Sequence, residues 1–360
     1  MDQLSNLSSS HGGSKKMTGI DYLIDLNRRH SEDFNNKTLQ RRQYRSKHPT
    51  EIAVFKCMDG RLNLPIMTET PMGIILPFRN VGGIFNLGWA FLSSLVKEWV
   101  DYANKQGRDC LVLTTHHFSK GDEHRGCAGF SYDTEAARAS SRKLRDQFNS
   151  VFNRDTVFAA QVGIETDHDG LIFYGTEKGQ IDLSEFLGES SDLLRVELQK
   201  LYPDFPSKVI NDLLPLAEGN IAHIKEIVTA RRPAQDIEHR EWVIAVGRGF
   251  DWFHELNTGL IISPLAPDYD RAVITAAKVI KSNIDANRID PKNGVVILTS
   301  APFRDPAGPE RNMAKVKAEF LQGHVTEVVK NNVPELIPFL QHLTVTVNLG
   351  TRAFDYVFRE

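Results

Sequence analysis

Short apolar runs alternate with amphipathic segments along the chain, and this alternation constrains the fold more than any other feature of the sequence. Apolar runs of about four to eight residues between polar turns are typical of buried strands, and strands that alternate with helices favour a mainly parallel sheet. The predicted fold class is therefore α/β, with a mixed, mainly parallel sheet flanked by helices. The strands predicted in the first half are residues 52–55, 73–78, 110–115, 156–162 and 171–174.

The strand pattern of the first half recurs in the second half. The offset between corresponding runs stays near about 185 to 190 residues, and ordered matches at one offset indicate an internal repeat. An internal duplication is therefore predicted. The matching runs are residues 241–246, 258–262, 294–300 and 343–356, which follow the order of residues 51–56, 72–76, 109–115 and 156–174.

Four segments are predicted along the chain. Residues 1–16 are rich in Ser, Gly, Asn and Lys, and we expect them to form a disordered tail. Residues 17–190 are expected to form a first domain, and residues 237–360 its second copy. Residues 191–236 have a helical pattern interrupted by prolines, and we expect them to form a helical connector.

Charge and cysteine content exclude several classes of protein. The formal net charge of -3 gives no reason to expect a nucleic acid or an anionic membrane as a partner. No apolar run reaches the ~20 residues needed to cross a bilayer, and the N-terminal residues lack the apolar stretch of a secretory signal. With three cysteines and no export signal, we expect a cytoplasmic protein without a disulfide framework.

A cysteine and an Asp–Arg pair directly follow the first predicted strand. Cys57 stands at the carboxyl end of this strand, where open α/β sheets place their ligand sites. Asp59 and Arg61 follow closely, and their carboxylate and guanidinium can pair through two parallel hydrogen bonds. This segment is therefore a candidate ligand and catalytic site.

Histidines and a second cysteine follow the third predicted strand. His124 precedes Cys127 by three residues, a spacing that one turn can wrap around a metal ion. His116 stands at the predicted end of the strand and is the alternative ligand. Either histidine, with Cys57 and Cys127, leaves a fourth position open for water, which is the catalytic form of a zinc site.

A Gly-Gly turn follows the second predicted strand. It ends the segment Arg79-Asn80-Val81-Gly82-Gly83 and precedes a predicted helix. Because glycine has no side chain, Gly82 and Gly83 allow the backbone to come close to a neighbour or a ligand.

These three segments, in this order and each after a strand, resemble the β-class carbonic anhydrases. That family has C-x-D-x-R after its first strand, R-N-x-G-N after its second and H-x-x-C after its third. Here CMDGR begins at Cys57, RNVGG begins at Arg79 and HRGC begins at His124, and the resemblance covers about residues 19–183. The last position of the second motif departs from the family, because it is Gly83 instead of Asn.

The resemblance implies a zinc enzyme that reversibly hydrates CO₂ to bicarbonate. Cys57, Cys127 and a histidine (His124, with His116 as the alternative) would hold Zn²⁺. Asp59 would accept a hydrogen bond from the zinc-bound hydroxide, and Arg61 would hold Asp59 in place. Gly82 and Gly83 would shape the substrate pocket. The expected partner is the small-molecule substrate, and assembly into a homo-oligomer is compatible with the sequence.

The predicted duplication resembles the carboxysomal shell branch of the same family, in which one half carries zinc and the other has lost its site. By this resemblance the two halves would form a pseudo-dimer with one metal per chain. The second half lacks the site residues: Gly247 and Gly249 stand for Cys57 and Asp59, Ala301 and Pro302 for His116 and His117, and Met313 lies near the place of Cys127.

Two alternative functions share this site. Carbon disulfide and carbonyl sulfide are also linear and apolar, and related enzymes hydrolyse them. A chain that has kept zinc only for stability would instead be a non-catalytic scaffold protein. The presence of both Asp59 and Arg61 counts against the scaffold, because a structural zinc site does not need them.

Overall fold

The computed structural model describes residues 18–176, 178–253 and 255–360, and the tail predicted over residues 1–16 lies outside them. No helix of these described residues is both long enough and apolar enough to cross a bilayer. The strands are β1 (Glu51–Cys57), β2 (Ile75–Asn80), β3 (Cys110–Phe118), β4 (Val157–Glu165), β5 (Gly170–Tyr174), β6 (Gln180–Asp182), β7 (Val243–Gly247), β8 (Gly259–Ile262), β9 (Val295–Phe303), β10 (Leu340–Asn348) and β11 (Phe354–Arg359). The helices are α1 (Gly19–Asn36), α2 (Thr38–Lys47), α3 (Leu64–Met67), α4 (Ala90–Lys105), α5 (Thr134–Val151), α6 (Ser191–Leu201), α7 (Ser207–Ala230), α8 (Ala234–Ile237), α9 (Asp270–Asp285) and α10 (Glu310–Asn332).

The described chain divides into two compact units, each built on its own sheet. The first unit comprises residues 37–238 and 265–268, and the second comprises residues 18–36, 239–264 and 269–360. These units differ from the predicted domains. Helix α1 belongs to the second unit instead of the first, and the predicted connector 191–236 belongs to the first unit. Residues 237–238 and 265–268, predicted in the second copy, also belong to the first unit.

The sheet of the first unit is mixed and mainly parallel, with the strand order β2-β1-β3-β4-β5-β6. β1 pairs in parallel with β2 and β3, β3 pairs in parallel with β4, and β5 and β6 add antiparallel strands at one edge. β1, β3 and β4 are almost entirely buried, which explains their continuous apolar runs. The carboxyl ends of β1, β2 and β3 therefore lie at one edge of the sheet.

Aromatic side chains fill the core on one face of this sheet. Phe55 of β1 stacks on Phe78 of β2, with ring centroids 4.5 Å apart, and meets the rings of Phe85 and Phe148 edge-on. Helices α4 and α5 supply further apolar residues, and these buried contacts fix β1 and β2 against the helices.

The predicted connector is packed into the first unit through polar side chains of α7. Asp212 accepts hydrogen bonds from the backbone N–H and the hydroxyl of Thr50, just before β1. Asn220 is fully buried and binds the carbonyl oxygens of Met67 and Asp169. Because buried polar groups need partners, these contacts make α7 an integral part of this unit.

The sheet of the second unit has the strand order β8-β7-β9-β10-β11. β7, β8, β9 and β10 run parallel where they pair, and β11 is antiparallel to β10. Helix α1 places Leu23 and Leu26 in the core of this sheet, and Asn27 accepts a hydrogen bond from the N–H of Phe354. The apolar face of α1 is therefore buried in the second unit.

Both units are α/β, with mixed, mainly parallel sheets and flanking helices, which confirms the predicted fold class. The first five strands of the first unit and the five strands of the second follow the same order. In each sheet the third and fourth strands also pair in parallel over nine residues, from Cys110 to Phe118 in β3 and from Val295 to Phe303 in β9. The internal duplication stays a prediction, and this shared order supports it.

β7 ends at Gly247, which the predicted duplication aligns with Cys57. The φ angle of Gly247 is +146°, and a Cβ atom there would clash with the carbonyl oxygen of Ser300 on β9. Only glycine allows the backbones of β7 and β9 to approach this closely at that point.

Candidate metal centre

Two cysteines and a histidine form a buried group in the first unit. The sulfur atoms of Cys57 and Cys127 lie 3.9 Å apart, and with a ring nitrogen of His117 the three potential ligand atoms lie within 4.8 Å of one another. All three residues are buried. Thiolate sulfur and imidazole nitrogen are metal ligands in this arrangement, so the group could hold one metal ion.

The strand topology explains how the three residues meet. Cys57 is the last residue of β1, and His117 is the penultimate residue of β3, which lies beside β1 in parallel. Their side chains therefore emerge at the same edge of the sheet. Cys127 follows a loop after β3 and directly precedes the short 3-10 turn Ala128–Phe130.

His117 provides an observation that fits a bound metal ion. Its side chain is 1% exposed, and neither ring nitrogen has a hydrogen-bond partner among the described residues. A buried polar atom without a partner costs about 1–3 kcal/mol, which a coordinated metal ion would offset. Asp59 lies close to this ring, with its Oδ2 3.8 Å from Nε2 of His117.

The hydrogen bond between the two thiols shifts their pKa values in opposite directions. A hydrogen bond from the Cys127 thiol lowers the pKa of Cys57 well below its ordinary value, and the electrostatic interaction with His117 acts in the same direction. The same Cys127–Cys57 hydrogen bond raises the pKa of Cys127 well above its ordinary value. The pair therefore shares one proton, and a thiolate ligand is already favoured at Cys57.

Asp59 and Arg61 form a buried ion pair beside this group. Arg61 donates from Nη2 to Asp59 Oδ2 at 2.6 Å and from Nε to Oδ1 at 3.0 Å, so the predicted bidentate contact is present. The side chains are 3% and 1% exposed, respectively. Arg61 also donates to the carbonyl oxygens of Ile237 at 2.7 Å and Arg125 at 2.8 Å. These contacts fix both the charge and the position of the Asp59 carboxylate.

Two further basic side chains are buried near the thiols. Burial, and then repulsion from Arg79, lowers the pKa of Lys56 well below its ordinary value, and Lys56 donates to the carbonyl oxygen of Leu62. Burial lowers the pKa of Arg79 to about 10, against the attraction of the Asp59 and Cys57 charges. The positive charge of Arg79 therefore favours a thiolate at Cys57.

The Gly-Gly turn after β2 lies against the backbone of this centre. The φ angles of Gly82 and Gly83 are +63° and +64°, in the left-handed region that favours glycine. A Cβ atom on Gly83 would lie 3.2 Å from the carbonyl oxygen of Thr115 and 3.3 Å from the backbone nitrogen of Cys57. A Cβ atom on Gly82 would lie 2.7 Å from the ring of Phe130. Both glycines therefore permit close packing beside Cys57 and Cys127.

Neither of the predicted histidine ligands lies in the cysteine group. The side chain of His124 is 70% exposed, with Nδ1 3.4 Å from Asp122. His116 is buried, but its Nδ1 lies 3.3 Å from the hydroxyl of Ser141 on α5. Burial lowers the pKa of His116 to about 3. His117 takes the place that was predicted for His124 or His116.

The position of the strand end explains this correction. β3 continues to Phe118, three residues beyond the predicted end at Thr115, so both His116 and His117 lie within it. Successive side chains of a strand point to opposite faces, and His116 faces α5 while His117 faces the cysteines. The loop that follows separates His117 from Cys127, and His124 within this loop lies outside the cysteine group. Strand alternation continued past Thr115 could have identified His117.

No protein-family model matches the chain, and no curated protein matches it. The resemblance to β-class carbonic anhydrases therefore rests on the sequence motifs alone.

Proposed function

We propose that this protein is a zinc-dependent carbonate dehydratase that reversibly hydrates CO₂ to bicarbonate at Cys57, His117 and Cys127. The observation that carries the proposal is the buried, bidentate Asp59–Arg61 pair next to a buried group of two cysteines and a histidine. A purely structural zinc site is closed by four protein ligands and needs no adjacent carboxylate, whereas a catalytic site keeps one position for water.

The donor set favours zinc. Two sulfur ligands and one imidazole suit Zn²⁺ better than Mg²⁺ or Ca²⁺, which prefer oxygen. When bound, zinc would act as a Lewis acid that lowers the pKa of a water molecule toward ~7. The buried positive charge of Arg79 favours an ionised thiol at Cys57.

Asp59 would orient the attacking water. Its carboxylate accepts a hydrogen bond from that water and directs an oxygen lone pair toward the carbon of CO₂. A C–O bond forms, one proton passes to solvent or buffer, and bicarbonate leaves. Arg61 keeps Asp59 ionised and immobile, because it holds both carboxylate oxygens.

The second unit would be a copy that has lost its site. The shared strand order of the two sheets supports the duplication, and Gly247 supports the loss, because no cysteine side chain fits there without movement of Ser300. One metal ion per chain follows from this proposal.

The test combines elemental analysis with stopped-flow assays on the full chain. We expect one zinc per chain and CO₂ hydration in the unaltered protein, and loss of zinc in Cys57→Ser, His117→Ala and Cys127→Ser. His124→Ala is the matched control and should keep its zinc. Asp59→Asn should keep zinc and lose at least ~100-fold in hydration rate, since it retains the shape but not the charge of the carboxylate.

Two outcomes would contradict the proposal. If His117→Ala keeps stoichiometric zinc while His124→Ala loses it, the ligand set is wrong. If the zinc-loaded chain does not hydrate CO₂, the activity is wrong. Parallel assays with carbon disulfide and carbonyl sulfide then distinguish a hydrolase from a zinc-stabilised scaffold, which would turn over none of the three gases.

A further inference from the structure

We propose that Asp167 is a positioning residue that fixes the loop between His117 and Cys127 and so sets the geometry of the metal centre. The inference rests on the proposed metal centre and adds a role for a turn outside it. The loop, residues 119–126, joins the end of β3 to Cys127, and Asp167 lies in the turn between β4 and β5.

Asp167 contacts the loop at both of its ends. Its Oδ1 and Oδ2 accept hydrogen bonds from the hydroxyl of Ser119 at 2.8 and 2.9 Å, and Oδ2 accepts another from the N–H of Gly121 at 2.7 Å. On the far side, Nη1 of Arg125 lies 3.8 Å from Oδ1. The Asp167 carboxylate thus binds the beginning of the loop and lies near Arg125 at its end, two residues before Cys127.

Asp167 is itself held by its own strand. Glu165, the last residue of β4, accepts hydrogen bonds from the N–H groups of Asp167 at 3.0 Å and Lys120 at 3.3 Å. The hydroxyl and the N–H of Thr166 donate to the carbonyl oxygen of Phe118, where β3 ends. The turn is therefore held by β4 and by the end of β3, the strand that carries His117, so the loop is bound to a rigid part of the sheet.

The far end of the loop connects this support to the centre. The carbonyl oxygen of Arg125 accepts a hydrogen bond from Nη2 of Arg61 at 2.8 Å, and Arg61 holds Asp59. Gly126 follows, and its N–H binds the carbonyl oxygen of Glu123 at 2.8 Å. A displaced loop would therefore move Cys127 and the acceptor of Arg61 together.

The charge state of Asp167 suits this role. Burial raises its pKa, but hydrogen bonds from the N–H of Gly121 and the hydroxyl of Ser119 outweigh it and lower the pKa below the ordinary value of 3.8. At neutral pH the carboxylate is therefore ionised, and its hydrogen bonds are charge-assisted.

The test compares Asp167→Ala with Lys120→Ala in the full chain. Lys120 lies in the same loop, but its side chain is 58% exposed and forms an ion pair with Asp182. Because an exposed ion pair contributes little, removal of this side chain should change zinc affinity very little. We expect Asp167→Ala to weaken zinc binding ~10- to 100-fold in a chelator competition. It should also alter the sulfur-to-metal absorption bands of the Co²⁺-substituted protein, which report ligand geometry. Lys120→Ala should match the unaltered protein in both measurements.

Further variants separate positioning from folding. Asp167→Asn keeps an acceptor for the loop and should recover part of the affinity. Ser119→Ala removes one donor to Asp167 and should give an intermediate loss even if Asp167→Ala does not fold. Unchanged zinc affinity and cobalt spectra in a folded Asp167→Ala protein would overturn the inference, and so would an equal loss in Lys120→Ala. A chain that binds zinc but does not hydrate CO₂ would refute the enzyme and leave the positioning role intact.

Discussion

At the scale of single residues, the Arg61 guanidinium is the group whose loss should disturb the candidate centre most. It is 1% exposed, and it joins Asp59 to two backbone carbonyl groups from different parts of the first unit. A buried ion pair adds little net stability, because desolvation offsets much of the attraction. Removal of one partner is costly, because the other charge is left buried without its counterpart.

We predict that Arg61→Met lowers the free energy of unfolding by about 3–5 kcal/mol, because it strands the Asp59 charge. The double variant Asp59→Leu/Arg61→Met removes both charges and should recover most of that loss. Urea unfolding of the metal-free chain measures both. A single variant that costs less than about 1 kcal/mol would show that the pair is screened by solvent, against its observed burial.

The residues of the centre differ in how well sequence alone could place them. Cys57, Asp59 and Arg61 lie close together in the chain, so local geometry nearly determines their arrangement. Cys127 was recognisable as a ligand candidate by its chemistry and by the strand before it. The choice of histidine depended on which residues of β3 face the cysteines. Because β3 was predicted to end three residues too early, at Thr115, His116 or His124 was predicted instead of His117.

At the scale of elements, the turn after β2 lies against the backbone of β1 and β3 beside the candidate centre. Gly83 adopts a φ of +64° within van der Waals distance of Thr115 and Cys57. A side chain there would therefore lower the free energy of unfolding for two reasons. The left-handed conformation is unfavourable for a residue with a Cβ atom, and the Cβ atom would lie too close to the neighbouring backbone.

Gly107 allows the two effects to be measured separately. It has a similar φ of +66°, but a Cβ atom there would meet nothing within 4 Å. We predict that Gly107→Ala costs only the conformational term of about 1–2 kcal/mol. Gly83→Ala should cost more and should also weaken zinc binding. Chemical denaturation and chelator competition test this, and equal effects of the two variants on both quantities would rule out a packing role for Gly83.

The sequence predicted which segments form strands better than it predicted where each strand ends. The apolar runs located every strand from β1 to β5, because buried parallel strands need continuous apolar sequence. The end of β3 was not predictable from hydrophobicity, since Thr115, His116 and His117 are polar and yet buried. Their burial follows from neighbouring elements, such as α5 beside His116, which no local pattern encodes.

At the scale of the whole molecule, two units share a strand order but only one contains the candidate centre. We predict that Gly247→Cys, at the place aligned with Cys57, does not raise the zinc content above one per chain and destabilises the fold. The cause is the clash of a Cβ atom with the Ser300 carbonyl. Gly323→Cys is the control, because it introduces the same side chain into open space in the second unit. A second zinc in Gly247→Cys, or equal stability of the two variants, would contradict this account.

The division of the chain into units was only partly readable from sequence. The apolar runs located the strands of both sheets, because each sheet is built mainly from buried parallel strands. The place of α1 in the second unit was not predictable, since Leu23 and Leu26 indicate an amphipathic helix but not the sheet that buries it. The segment 191–236 resembled a connector in the sequence. Its place in the first unit depends on buried hydrogen bonds of Asp212 and Asn220 with residues distant in the chain, which no local pattern shows.

The contact between Gly247 and Ser300 also bears on how the second unit could change over time. A backbone oxygen occupies the space in which a side chain at residue 247 would begin. A thiol introduced there would first require the two strands to move apart, and that movement alone would weaken the sheet with no ligand gained. On the predicted duplication, the loss of a second centre would therefore be difficult to reverse by single substitutions. Further sequence change in the second unit would have to keep this glycine.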